Sequence, residues 1–476
     1  MAIPWVILAV LALGQLIRVA RGFNGESTEE ALYITSGFRA WHGDAVSDQL
    51  LTLLPGSVLW PAISAAGYEL LGLPGARLLS LTFFLVAFSA TVLGTRNLFG
   101  QRAAEFTAVS MAVSAPFLAV AHLALMESFA LAGMAAAFFA LTMLIERDDR
   151  TLLLLGSLGL TLAVLGQFRS MIFVIPLGLL LLTMRGRKGR LDLIVLFLSS
   201  SLGFIVYFEA FSQQVEIAME SFQFLTPHLS TGDFASASTK RGLLLIWGAL
   251  PLLIAIYGCW RATGKERRMA ISLIVLPVCW LLALLFLAEP SRLLVFPDLA
   301  AGSLMAYPVI GLGLSYLSLR GPNLASLGLA FVLVLLVSLV HVGGFDRSWP
   351  DYRPLSDRIV AGMDPGDGVL VNEQWPFAVV LYDAGLIETP DDLVDAEMIL
   401  GNSELLDLCA FEWMVELSEP LAWPAFVGSA ATSCGGFELS YATMLKQTYF
   451  SNVFTIQERP APAELWFNSQ PFGDSL

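Results

Sequence analysis

Long apolar runs recur along this chain, separated by short breaks rich in charge. The segment AISLIVLPVCWLLALLFLA (270–288) is typical. A run of about 20 apolar residues crosses the roughly 30 Å hydrocarbon layer of a bilayer as one helix. Only helices and closed barrels satisfy every backbone group there, and these runs lack the period-2 alternation of a barrel strand. Composition agrees: 14% of the 476 residues are charged, against about 25% in a soluble globular chain. The sequence therefore predicts a polytopic α-helical membrane protein.

Eleven spans are expected, near 3–20, 76–95, 104–123, 127–145, 151–168, 171–184, 191–209, 242–260, 270–288, 299–318 and 323–341. The segment 53–73 is apolar but broken by Pro55, Pro61 and glycines, and reads as an interfacial or partly inserted helix. The opening MAIPWVILAVLALGQLIRVARG lacks a basic leading region and a clear cleavage site, so it is expected to remain as the first helix. Five breaks, at 95–102, 146–150, 185–190, 261–268 and 318–320, hold 13 of the 21 Lys/Arg that precede His341. Basic loops stay in the cytoplasm. All five lie there if the N-terminus does, although Arg18 and Arg21 then fall on the outer side. An odd number of spans places the C-terminal segment outside.

That segment is chemically distinct. From His341 onward there are 5 Lys/Arg against 21 Asp/Glu, whereas the preceding part is nearly neutral. Short apolar runs such as GVLVNEQWPFAVVLYDAG, with turn formers such as DPGDG, predict a small α/β domain over 343–476. The membrane domain is expected over 1–342, with outer loops at 21–75 and 210–241. An acidic, water-facing tail excludes nucleic acid as a partner, because phosphate binding needs a basic face. Cys259 and Cys279 fall in apolar runs. Cys409 and Cys434 lie in the tail, where they can pair only if the compartment is oxidising.

Candidate chemistry gathers at the expected outer face. Glu26, Glu29 and Glu30 fall within five residues, and helical spacing lets them share a face with Tyr33. The plainer reading is a solvated helix start, where acids meet the positive end of the dipole. Glu127 stands at the outer end of an otherwise apolar span, where a carboxylate is costly and by default functional. Glu289, Arg292 and Asp298 share the loop 288–300, and Arg292 has the forked donors that suit a phosphate. Arg169, at another outer helix end, either reaches lipid headgroups or does the same. The four histidines are scattered, with no zinc spacing. No phosphate-cradling glycine loop or serine-nucleophile motif occurs.

Taken in order, IRVARG (17–22), EEALY (29–33), WHGD (41–44), LTLLPGSVLWPAIS (51–64), ELLGLPGARLLSL (69–81), RNLFGQRAAEFTA (96–108) and LALMESFAL (123–131) resemble the opening of GT-C membrane glycosyltransferases. The order and spacing are similar to the dolichyl-phosphate-mannose protein mannosyltransferase type, including the bacterial aminoarabinose transferases. SRLLVFPDLA (291–300) and PLSDRIVAGMDPGDGVLV (354–371) look like later segments of that group. The sequence departs from the pattern at Glu29, where an Asp leads the acidic pair, and at Val46-Ser47-Asp48 and Leu54-Pro55-Gly56. No loop lysine matches that of the aminoarabinose transferases.

The resemblance implies a GT-C-like bundle of about 11 helices with an extracytoplasmic α/β domain, in the plasma membrane of a prokaryote. It implies an inverting transfer of a sugar from a polyprenyl-phosphate donor, embedded in membrane lipid, to an acceptor hydroxyl. Glu29, Glu127 and Glu30 become catalytic acids, with Glu29 as base. Arg292 and Arg169 hold the donor phosphate, while Glu26, Tyr33, Asp44 and Asp48 become acceptor or loop contacts. A divalent cation, magnesium or manganese, held by Glu29 and Glu127 is left open. Two other readings remain: a transporter or flippase, which calls for paired broken helices and internal repeats, and a partner subunit that has lost catalysis.

Overall fold

The computed structural model describes residues 2–21, 28–42, 59–210, 237–288, 295–320, 324–348, 360–361, 369–371, 374–387, 413–417, 437–449 and 456–468. The helices in chain order are α1 (Ala2–Arg21), α2 (Thr28–His42), α3 (Leu59–Leu71), α4 (Leu73–Phe99), α5 (Gln101–Ala112), α6 (Ala115–Val120), α7 (Met126–Arg147) and α8 (Arg150–Gly166). A 3₁₀ turn (Phe168–Phe173) leads into α9 (Val174–Ala210). Then come α10 (Ala237–Leu244), a π-helical turn (Leu245–Ala249), α11 (Leu250–Arg261), α12 (Gly264–Phe286), α13 (Val295–Ser303), α14 (Tyr307–Arg320) and α15 (Leu324–Ser348).

Among the described residues, six apolar stretches are long enough to cross a membrane: Leu73–Phe99, Met126–Arg147, Arg169–Leu202, Ser238–Arg261, Gly264–Phe286 and Val295–Ser318. Three more, Pro4–Ile17, Arg150–Gly166 and Gly328–Gly343, are apolar but shorter. With the fold reported below, this marks an integral membrane protein. Local chemistry explains where helices and expected spans differ. The run 104–123 divides into α5 and α6, because Pro116 follows the break at Val113–Ser114. The runs 171–184 and 191–209 are two arms of α9 that reverse at Gly186 (φ 57°, ψ −120°), a backbone conformation open in practice only to glycine. The π turn precedes Pro251, which has no N–H to bond the carbonyl four residues back. The Leu250 N–H instead reaches Leu245, five residues back.

The chain divides into two compact units. The first comprises Met1–Arg21, Ser47–Ser230 and Ala235–Val342. Its helices pack through small residues, as expected where lipid removes the hydrophobic drive between helices. A Cβ on Gly133 of α7 would stand 2.6 Å from the Gly159 carbonyl of α8, and one on Gly159 would stand 2.8 Å from the Gly133 carbonyl. Large apolar side chains such as Val10, Leu198 and Leu336 face outward, as lipid-facing positions do.

The second unit comprises Gly22–Val46, Thr231–Phe234 and Gly343–Leu476. It thus joins α2, from the expected first outer loop, to the C-terminal segment. Its described elements are α2, β1 (Val369–Val371), α16 (Gln374–Asp383), β2 (Trp413–Leu417), β3 (Phe437–Tyr449) and β4 (Ile456–Asn468). The strands form one mixed sheet in the order β1-β2-β4-β3. β1 runs parallel to β2, while β4 is antiparallel to both β2 and β3. α2 packs on α16, with the Phe38 and Tyr382 rings 5.2 Å apart.

Candidate active site

Within the first unit, three buried charges from distant parts of the chain meet. Glu127 lies in the first turn of α7, and Asp298 in the first turn of α13, just after Pro297. Both carboxylates sit where a helix presents unpaired N–H groups and the positive end of its dipole. Arg169 stands between them on the 3₁₀ turn that follows α8. Its Nη2 donates to Glu127 Oε1 at 2.9 Å, and its Nη1 donates to Asp298 Oδ1 at 2.8 Å. Each of the three side chains is at most 2% exposed. Taking such charges out of water is expensive, and only mutual pairing with good geometry offsets the cost.

Further contacts hold the cluster in shape. Gln167, in extended conformation before the 3₁₀ turn, donates its amide Nε2 to the same Glu127 oxygen at 2.9 Å. Trp280 of α12 lays its ring beside the guanidinium, 5.7 Å from centroid to Cζ. The indole N–H of Trp280 donates to the Asp298 carbonyl at 2.9 Å. Gly302 makes room for that ring, since a Cβ there would stand 1.8 Å from Trp280 Cδ1. In the first turn of α7, Ser128 Oγ returns a bond to the Leu125 carbonyl (2.8 Å) and meets Ser80 Oγ of α4 (2.8 Å). Trp60 of α3 donates its indole N–H to the Ala124 carbonyl at 3.2 Å. The turn that aims Glu127 is thereby tied to two neighbouring helices.

Arg169, expected at a phosphate or the lipid headgroups, is thus engaged by two carboxylates. Asp298 is brought to Glu127 although the sequence reading left it without a role. Lys240 on α10 is a further buried cation, 2% exposed, on a helix packed against α13. Its place in the polar stretch STKRG hid it as a loop residue. Gln167 carries no local signal at all. In the second unit, Glu29, Glu30 and Tyr33 are all buried on α2, not spread along a solvated helix start. Glu26, Asp44, Asp48, Arg292, Cys409 and Cys434 lie outside the described residues. Cys259 and Cys279 are free thiols.

No family model matches the chain, and no curated protein matches it in sequence. Solved structures do. ArnT from Cupriavidus metallidurans bound to undecaprenyl phosphate aligns over 98% of both chains, with TM-score 0.60 at 14% identity. The Archaeoglobus fulgidus oligosaccharyltransferase tethered to an acceptor peptide aligns over 96% of this chain and 74% of its own, with TM-score 0.53 at 10% identity. The mycobacterial arabinofuranosyltransferase AftD aligns over 97% of this chain and 41% of its own, with TM-score 0.52 at 15% identity. All three are GT-C proteins.

The chain has the GT-C fold. At these identities the likeness is one of fold, so activity has to be argued from the site. Two features of this GT-C chain matter for that. Among the described residues, no group of three or more His, Cys, Asp or Glu could hold a metal ion. A cavity of about 370 Å³ opens between α5, α11, α14 and α15, lined almost wholly by apolar groups including Trp247, Ile310, Phe331 and Val334. At its polar edge, Tyr307 and Ser114 share a hydrogen bond of 2.7 Å.

Proposed function

We propose that this GT-C protein is an inverting glycosyltransferase that moves a sugar from a polyprenyl-phosphate donor to an acceptor hydroxyl at the extracytoplasmic membrane face. The observation that carries this is the buried acid–arginine–acid cluster at the starts of α7 and α13. An integral membrane chain sustains three buried charges only with a strong compensating arrangement, and intramembrane charges are by default functional. A solved protein with the same fold contains undecaprenyl phosphate, which favours this donor class.

In the proposed reaction the acceptor O–H gives its proton to a carboxylate. Its oxygen attacks the anomeric carbon opposite the phosphate, the carbon–phosphate-oxygen bond breaks, and polyprenyl phosphate leaves. Glu29 is assigned as the base, and Glu127, held in fixed orientation by Arg169 and Gln167, as the carboxylate that orients the acceptor or the base. The departing phosphate needs positive charge. Lys240 and Arg292 are the cations assigned to it. The apolar cavity beside Trp247 suits an isoprenoid tail. The N-terminus is assigned to the cytoplasm, and residues 343–476 to a small extracytoplasmic α/β domain.

The test is release of polyprenyl phosphate by purified protein offered a panel of polyprenyl-phosphate sugars together with a membrane and cell-envelope extract as the source of acceptor hydroxyls. Wild type is expected to turn over at least one donor. Glu29→Gln is expected to lose about 10²–10⁴-fold in turnover while still binding that donor. Near-normal turnover removes Glu29 from the role of base. No release from any donor by a folded wild-type protein overturns the enzyme reading and favours a partner subunit.

A further inference from the structure

We propose that Arg169 is the permanent counter-ion of the Glu127–Asp298 pair and stands where a divalent cation would have to sit, so that this pair works without a bound metal. The inference rests on the glycosyltransferase reading for its functional meaning, but its geometry is independent of it.

A divalent cation on this pair needs carboxylate oxygens at about 2.0–2.6 Å and several further oxygen ligands. The carboxylate oxygens that face each other here are taken by N–H donors instead. Glu127 Oε1 and Asp298 Oδ1 both point at one guanidinium, at 2.9 and 2.8 Å. Glu127 Oε1 also accepts the Gln167 amide, so that oxygen already faces two N–H donors. The surroundings are shaped for a flat organic cation. The Trp280 ring covers it, Gly302 admits the ring, and the indole N–H is spent on the Asp298 carbonyl. Soft aromatic walls suit a guanidinium and give nothing to a hard cation.

The two kinds of counter-ion differ in consequence. A guanidinium is not deprotonated in proteins and cannot dissociate. The Glu127 carboxylate is therefore held in one orientation whatever the metal supply. Its planar fork also joins two helix starts, α7 and α13, at a fixed spacing. Arg169 is in this sense a positioning residue: it acts through Glu127.

The experiment is Mn²⁺ binding by the full-length chain in detergent, followed by electron paramagnetic resonance. The variants are Glu127→Gln, Arg169→Lys, Arg169→Met and the double variant Arg169→Met/Glu127→Gln. Any Mn²⁺ held by the acidic C-terminal segment is common to every variant, so the readout is the difference that Glu127 makes. Wild type and Glu127→Gln are expected to bind alike. Arg169→Met bares two facing carboxylates and is expected to gain a site at least ten-fold tighter than any in wild type, which the double variant loses. Arg169→Lys keeps a cation there and gains none. A tight site in wild type that Glu127→Gln abolishes overturns the proposal. Should Arg169→Met not fold, the wild-type comparison with Glu127→Gln still decides. Binding is read without turnover, so a chain that transfers no sugar leaves this result standing. Where turnover is seen, it is expected to survive chelation.

Discussion

At the scale of single residues, the cluster depends on residues that carry no charge themselves. Gly302 is the sharpest case. A methyl group at this position has no free space, because its carbon would lie 1.8 Å from the Trp280 ring. In Gly302→Ala the indole has to turn away, losing its bond to the Asp298 carbonyl and its face on Arg169. Overpacking of this kind costs about 1–3 kcal/mol, and donor turnover should fall with it. Thermal unfolding in detergent is the check. Gly328→Ala is the control, since nothing lies within 4 Å of a Cβ there, and it is expected to be neutral. Glu127 was legible in the sequence because a lone carboxylate interrupts an apolar run. Its partner was not. The bonds from Arg169 span 42 and 129 residues, and no local spacing foretells such a pairing. The same holds for Lys240, whose polar neighbours suggest water although its own side chain is buried.

At the scale of elements, the helix ends away from the cluster are latched by charge. α7 stops at Asp148, whose left-handed backbone (φ 54°) is a conformation Asp tolerates. Arg185 donates to the Leu144 carbonyl (2.8 Å), to Asp192 (2.6 Å) and to Asp148. Lys188 donates to Asp148 at 2.7 Å. One cluster thus ties the α7–α8 turn to the reversal of α9 at Gly186. The Lys188 and Arg185 hydrogen bonds hold the Asp148 carboxyl well below its ordinary 3.8, at about 2. A depressed carboxyl contributes stability that is present above the unfolded pKa and disappears as pH falls through the folded one. The Asp148 contribution is therefore complete above roughly pH 4 and lost toward pH 2. Wild type should unfold at a higher temperature than Asp148→Asn at pH 6, and the gap should close across that acid window. Molar salt should also narrow the gap, because the group is exposed. Periodicity and basic breaks located these helices in the sequence. The reversal of α9 at Gly186 falls in the basic break between two expected spans, whereas the splitting of 104–123 turns on Pro116, whose effect depends on the packing around it.

At the scale of the molecule, the ion pairs and hydrogen bonds orient the helices of the membrane unit. Arg169 holds the starts of α7 and α13 together, so α7 and the α13–α14 pair leave the same end of the unit. Each runs for about 20 residues, or about 30 Å at 1.5 Å per residue, the thickness of the hydrocarbon layer. Their far ends carry the basic breaks. Asp148 meets Arg185 there, Arg102 donates to Ser318 at 2.7 Å, and Tyr316 donates to Glu266 at 2.5 Å. Breaks that are scattered through the sequence thus gather opposite the carboxylate cluster. On the proposed orientation the Lys/Arg-rich ends stay in the cytoplasm and Glu127 and Asp298 face the other side, where a lipid-linked donor would be used. Single cysteines in a cysteine-free background test this. Arg187→Cys marks the basic end. Leu287→Cys, 71% exposed just past α12, marks the opposite one. A membrane-impermeant maleimide is expected to label Leu287→Cys in intact cells and Arg187→Cys only after permeabilisation. The reverse pattern would put the carboxylates on the cytosolic face, and the donor would then have to be met there, before it crosses the membrane.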